Sequence, residues 1–304
     1  MEPVSLWVWQ IFISYGEITK GRKHEMSAKI LDGKTCSEKA LELVNKNILP
    51  NKTPTLVIYR IGDDPASAVY VRNKVRAAAR TGIIANVREY PATADPKEVM
   101  QQLENDADDF DIDGIMVQLP LPEGWDERDL IETIPPYKDV DGLTYANMGM
   151  LHEKEAFHEP CTAKGIIWLL HENGIHLTGK HVVVVGRSEI VGKPVALLAL
   201  ANNATVTVCH SRTKNLAEMT RQADILIVAV GKEKIITADM VKPGAVVVDV
   251  GINRNAEGKL CGDVDFENVK EVASAITPVP GGVGPMTVAM LMWNCLNAAY
   301  MVTI

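Results

Sequence analysis

The five cysteines (Cys36, Cys161, Cys209, Cys261 and Cys295) are odd in number and scattered, with no C-x-x-C pair among them. That spacing excludes a disulfide framework and a structural zinc site, and it fits a reduced, cytoplasmic compartment. The seven histidines also lack ligand spacing, so no metal is expected. There is no basic run, and the formal charge is −8, which excludes a general binder of nucleic acid or of membrane surfaces, because both partners are recognised by concentrated Lys and Arg. A bilayer-spanning run is missing too. The opening MEPVSLWVWQIFISYG is shorter than the roughly 20 apolar residues a span needs, carries no basic leader and shows no small-residue cleavage signature. The polar EITKGRKHE then leads to Met26, and residues 1–25 are expected to be a dispensable extension.

What remains is a long apolar-rich chain. Its 304 residues exceed the roughly 100–200 of one domain, and 47% hydrophobic content suffices for two cores. Strand-like and helix-like segments alternate throughout, the pattern of βαβ units around a parallel sheet, with no repeat or low-complexity tract. TLVIYRIG, ANVREY and IDGIMVQLPLP read as strands, with helices over Pro65 to Arg80 and PKEVMQQLENDA between them. HVVVVG, ATVTVCHS, ADILIVAVG and AVVVDVG form a second strand set, spaced by KPVALLALAN and NLAEMTRQA. We therefore expect an α/β chain of two domains, residues 26–155 and residues 156–285, with a C-terminal helix over 286–304 expected to complete the first, a return that the sequence alone does not show.

Two stretches carry chemistry. In ASAVYVRNK, helical spacing of roughly 100° per residue places Ser67, Tyr70 and Lys74 within a narrow arc beside the apolar stripe of Ala68, Val71, Val75 and Ala79. Asp64 suits the N-cap, Pro65 the first helical position and Gly82 the stop. Alone, such a trio reads more readily as a tyrosine packed on a lysine stem than as a site. In GRSEIVGKP, Gly186 and Gly192 flank a loop that opens onto a helix after a strand, where backbone can approach a pyrophosphate and free N–H groups can bind it. Ser188 stands where G-x-G-x-x-G has its middle glycine, which weakens the motif. At the end of the next strand, where an NAD site carries Asp or Glu, the chain reads CHSRT. With no acid to repel a 2′-phosphate, a hydroxyl on Ser211 and positive charge on Arg212 or Arg187, NADP is favoured over NAD.

YVRNK, VQLPLP, KDVDG, GRSEIVGKP, CHSRT, GDVDF and TPVPGGVGPMT occur in that order. Together they make the chain from about residue 27 onward resemble the bifunctional methylenetetrahydrofolate dehydrogenase/methenyltetrahydrofolate cyclohydrolase family. The resemblance implies two α/β domains with a cleft between them, the first a folate-binding catalytic domain and the second a Rossmann domain for NADP, in a homodimer acting in one-carbon metabolism and purine biosynthesis. It implies Lys74 as the central catalytic residue, Gln118 hydrogen-bonded to it, Tyr70 packed on the aminobenzoate of the folate and Asp141 holding the pterin. Pro280 and Gly284 would complete the folate contacts, and Gly186, Arg187, Ser188, Ser211 and Ile252 would contact the cofactor. A carboxylate is a natural acceptor for an aminopyrimidine edge, and Gln118 ends a strand where α/β folds place ligands. PCTAKG departs from the family in having Ala163 where many members have a second proline, a change of loop stiffness rather than of chemistry. Cys161 and His210 fall near the expected cleft and are given no role.

The implied reactions are NADP-dependent oxidation of 5,10-methylenetetrahydrofolate to the methenyl form and its hydrolysis to 10-formyltetrahydrofolate. Competing expectations are a dehydrogenase without the hydrolase, an NADP-dependent dehydrogenase of another small substrate, and a nucleotide sensor with a degenerate site. The joint presence of Tyr70, Lys74, Gln118 and Asp141 weighs against all three.

Overall fold

The computed structural model describes residues 27–153 and 155–301; the expected dispensable extension over 1–25 lies outside the described residues. The chain enters through a two-residue strand β1 (Lys29–Ile30) and helix α1 (Gly33–Asn47), capped by the Asp32 carboxylate. Then follow β2 (Thr55–Ile61), α2 (Pro65–Thr81), β3 (Ile84–Tyr90), α3 (Pro96–Asp108) and β4 (Gly114–Val117). These three longer strands form a parallel sheet in the order β3-β2-β4. β2 is central and buried on both faces, which explains its unbroken apolar run. Leu56 and Ile58 face one core, while Val57, Tyr59 and Ile61 face another packed by α3. Helix α2 begins and ends as its sequence dictates: the Asp64 carboxylate accepts the Ser67 N–H, Pro65 follows, and Gly82 stops it with φ of 82°. β4 is shorter than the run IDGIMVQLPLP, because the prolines at 120 and 122 cannot donate to a ladder. Ladder bonding ends at Gln118, whose N–H still reaches the Tyr59 carbonyl at 2.8 Å.

Two short helices, α4 (Glu127–Thr133) and α5 (Tyr145–Met150), precede the second half. That half runs α6 (Cys161–Glu172), β5 (His181–Val185), α7 (Gly192–Ala201), β6 (Thr205–Cys209), α8 (Leu216–Thr220), β7 (Ile225–Val228) and β8 (Val246–Asp249). A small antiparallel ribbon of β9 (Asn253–Arg254) and β10 (Leu260–Cys261), helix α9 (Phe266–Val269) and β11 (Ala275–Ile276) follow. The second sheet is parallel and has six strands in the order β1-β11-β8-β7-β5-β6. The chain leaves β5 to one side for β6 and returns to its other side for β7, the doubly wound arrangement of a Rossmann-type fold.

Two segments cross the expected division of the chain. β1 joins the second sheet through β11, with the Lys29 N–H bonded to the Ser274 carbonyl and the Leu31 N–H to that of Ile276. The last helix, α10 (Val283–Met301), returns to pack on α1, α2 and α6. It is apolar nearly all round because it is enclosed nearly all round. One continuous core contains Leu56, Ile58 and Met116 of the first sheet, Val182, Val184 and Val248 of the second, and Met286, Met290 and Leu296 of α10.

Candidate active site

Lys74 lies on the inner face of α2 and is only 8% exposed. Its amine donates to Gln118 Oε1 at 2.9 Å, while Gln118 Nε2 donates to the Leu119 carbonyl at 2.7 Å, which fixes which end of the amide meets the amine. Burial lowers the affinity of the Lys74 amine for its proton, and the negative charge of Asp141 and the Cys161 thiol oppose that shift. Burial likewise raises the Asp141 carboxyl, against the pull of Lys74 and with a further push from Asp139. Amine and carboxyl are thus each driven toward neutrality and each held back by the other.

The loop carrying Asp141 is fixed from three sides. The Asp139 carboxylate accepts the N–H groups of Gly142 at 3.0 Å and Thr144 at 2.8 Å and the side-chain amide of Asn147 at 2.9 Å. The Cys161 thiol donates to the Val140 carbonyl at 3.2 Å, and its N–H reaches the Asp141 carbonyl at 3.3 Å. Burial, with the Asp141 charge behind it, pushes that thiol well above its ordinary range, so it stays a protonated donor. From α10, the fully buried Asn294 donates to the carbonyls of Val140 at 2.9 Å and Glu159 at 3.0 Å, and its Oδ1 accepts from Lys164 at 2.8 Å. Sequence reading left out Asp139 and Asn294 and gave Cys161 no role. The signal that could have found Asn294 is an amide set within the apolar run AMLMWNCL, which demands polar partners.

Tyr70 sits one helical turn before Lys74 and is partly exposed, and Ser67 Oγ one turn earlier is buried with no hydrogen-bond partner among the described residues. Lys74, Gln118 and Asp141 therefore come together, with Tyr70 alongside. Pro280 and Gly284 flank the start of α10, outside the hydrogen-bonded cluster. Their PGGVG loop rests on the start of α1, so closely that a Cβ on Gly33 would lie 1.7 Å from the Gly282 oxygen.

The expected cofactor residues gather at the carboxyl ends of the second sheet. Gly186 follows β5 with φ of 124°, and a Cβ there would meet the Ala229 oxygen at 2.1 Å. Gly192, opening α7, is as crowded: its Cβ would meet the Gly186 oxygen at 2.4 Å. Ser188 closes the turn by accepting the Gly192 N–H on Oγ at 3.3 Å. The Gly186 N–H bonds the Cys209 carbonyl at 2.9 Å, so the exposed Ser211 and Arg212 in the turn after β6 neighbour the glycine turn. Among the described residues neither Arg187 nor Arg212 is paired with a carboxylate, and no acid stands at the end of β6. Close-packed glycines, open hydroxyls and two unpaired guanidiniums fit a dinucleotide with a 2′-phosphate. Ile252, 52% exposed, lies beyond β8, on the far side of β7 from β5.

Comparison with known proteins agrees over nearly the whole chain. Residues 31–141 match the catalytic domain of tetrahydrofolate dehydrogenase/cyclohydrolase, and residues 160–303 match its NAD(P)-binding domain. The bifunctional protein FolD of Halalkalibacterium halodurans is 52% identical over 278 residues, covering 90% of this chain and 99% of that one. The Delftia acidovorans protein of the same name is also 52% identical, over 90% and 98% of the two chains. Among solved structures, the bifunctional methylenetetrahydrofolate dehydrogenase/cyclohydrolase of Campylobacter jejuni superposes with a TM-score of 0.88 at 42% identity, covering 91% of this chain and all of that one. The Trypanosoma brucei enzyme, solved with NADP cofactor and an inhibitor, gives 0.86 at 34% identity over 91% and 99%. This chain belongs to the tetrahydrofolate dehydrogenase/cyclohydrolase family.

Proposed function

We propose that the chain oxidises 5,10-methylenetetrahydrofolate to 5,10-methenyltetrahydrofolate with NADP and hydrolyses that product to 10-formyltetrahydrofolate, both at the Lys74 cluster. The observation that carries the reading is the buried amine of Lys74, bonded to a neutral amide and facing Asp141. NADP, when bound, supplies the hydride acceptor, and the protein's part in that step is alignment. Tyr70 gives an aromatic face for the aminobenzoate, Asp141 accepts from the aminopyrimidine edge, and Pro280 and Gly284 border the folate. Gly186, Arg187, Ser188, Gly192, Ser211, Arg212 and Ile252 hold the cofactor.

Hydrolysis asks more of the side chains. Water adds to the methenyl carbon and loses both its protons in turn, the second as its oxygen becomes the formyl carbonyl; the bond from that carbon to one ring nitrogen breaks, that nitrogen takes up one of the protons, and the other leaves to solvent. A lysine whose amine is neutral near working pH can accept the first proton and return one to the leaving nitrogen. Gln118 orients the amine without adding a charge that would hold it protonated. The discriminating experiment follows NADPH formation from methylenetetrahydrofolate and, separately, methenyltetrahydrofolate hydrolysis without cofactor. Activity in both supports the reading; NADPH formation with no hydrolysis leaves a dehydrogenase alone, and neither activity rejects it.

The proposal extends to a cytoplasmic homodimer that supplies formyl groups for purine biosynthesis and binds neither nucleic acid nor membranes. The charge of −8 supports the last point, and no helix among the described residues is long and apolar enough to cross a membrane. Light scattering that returned a monomer mass would remove the dimer.

A further inference from the structure

The GDVDF segment takes no part in the chemistry above, yet it contains a fully buried carboxylate. Asp263 Oδ2 accepts the N–H groups of Val230 at 2.7 Å and Gly231 at 3.0 Å, and its Oδ1 accepts the Lys232 N–H at 2.8 Å and the Asn253 side-chain amide at 2.9 Å. A second buried carboxylate, Asp249 at the end of β8, holds the Asp263 segment through the N–H groups of Asp263 and Val264, both at 2.9 Å. The two are interlocked by glycines. A Cβ on Gly251 would lie 2.2 Å from Asp263 Oδ1, and one on Gly262 would lie 1.9 Å from Asp249 Oδ2.

The segment that Asp263 grips is the exit of β7. β5 and β7 are the adjacent strands at which the sheet order reverses, and in such sheets a ligand enters the crevice between the loops that leave those two strands. One wall of that crevice is the Gly186 turn, which abuts the Ala229 carbonyl; the other is Val230–Lys232. Asp263 turns three successive N–H groups of that second wall inward. The apolar side chains of Val230 and Ile252 remain open to solvent, 37% and 52% exposed, on neighbouring strand exits. Apolar surface beside a few fixed polar groups is how small-molecule crevices are lined.

We propose that Asp263 is a positioning residue for the dehydrogenase half of the enzyme: it fixes the Val230–Lys232 wall of the crevice and thereby sets the affinity for NADP without touching it. This rests on the functional reading above. Asp263→Asn keeps the shape but turns an amide NH2 toward N–H donors, so it loses part of a charge-assisted set, whereas Asn253→Ala removes one donor and keeps the charge.

The test measures NADP binding by calorimetry without folate, the KM for each substrate, and cofactor-free hydrolysis of methenyltetrahydrofolate. Asp263→Asn is expected to weaken NADP binding about tenfold or more, and Asn253→Ala about threefold, with the folate KM and hydrolysis held within about twofold. Parallel loss of both reactions would mean a carboxylate that only supports the fold, and would overturn the proposal, as would unchanged NADP affinity in Asn253→Ala. Should Asp263→Asn not fold, Asn253→Ala alone decides. Wild-type protein that binds NADP but acts on no folate would reject the functional reading, and the calorimetry would still judge Asp263.

Discussion

The Asp141 carboxylate and the Asp249–Asp263 pair are treated oppositely by their surroundings. Asp141 faces a lysine whose own charge is weakened by burial, so the two groups share a fragile balance of protons. Asp263 accepts from four N–H donors, and Asp249 accepts three more from Gly251, Asp263 and Val264. Side chains that answer one another can exchange protons; amide groups cannot, and what they fix is the orientation of the carboxylates and of the backbone around them. The first arrangement suits reaction and the second suits geometry.

The contrast breaks most visibly at Lys74. Lys74→Met should cut methenyltetrahydrofolate hydrolysis by about 10³-fold or more while sparing more of the hydride transfer, since proton transfer by a positioned group accounts for roughly 10²–10⁴ in rate. Normal hydrolytic turnover in that variant would remove the lysine from the chemistry.

Acid sharpens the comparison, because each side has a buried group of opposite habit. His158, buried near Asp139 and Lys164, is pushed down to about 4 by desolvation. The unfolded chain therefore takes up a proton first, and stability falls as pH drops from about 6.5 to about 4, by about 3 kcal/mol. Asp249 is pushed up to about 6 by burial, so there the folded chain takes up the proton first, and stability rises as pH drops below about 6. The two nearly cancel. Denaturant unfolding across this window should show a steeper acid loss in Asp249→Asn than in the wild type; equal slopes would contradict the assignment.

A smaller effect is expected from Asn294→Leu, which leaves the carbonyls of Val140 and Glu159 without their buried donor and should cost about 2 kcal/mol of stability by the same measurement. Smallest is Arg212→Ala: NADP affinity should drop by about tenfold, and NAD affinity should hold, if the guanidinium meets the 2′-phosphate. Equal loss of both cofactors would place Arg212 elsewhere on the nucleotide.

Local rules made much of this legible. The caps and spacing of α2 put Ser67, Tyr70 and Lys74 on one face, and the apolar strands of both sheets announced themselves by run length and β-branching. β1 and the β9–β10 ribbon were not legible, because two-residue strands have no periodicity to detect. Asn294, Asp139 and Asp263 were missed for another reason. Their partners are largely backbone groups, which every residue carries, so nothing in the partner's identity marks the contact. In Asn294 the distance along the chain adds to this, with 154 residues separating it from Val140.

Helix α10 has a consequence for how the protein is made. It fills the space between α1, α2 and α6 and touches strands β2 and β4. During synthesis the first half emerges with that apolar trough open, and it stays open until residues 283–301 leave the ribosome. Until then the Val140 carbonyl lacks its Asn294 donor, so the support of the loop carrying Asp141 is completed only once that helix is made.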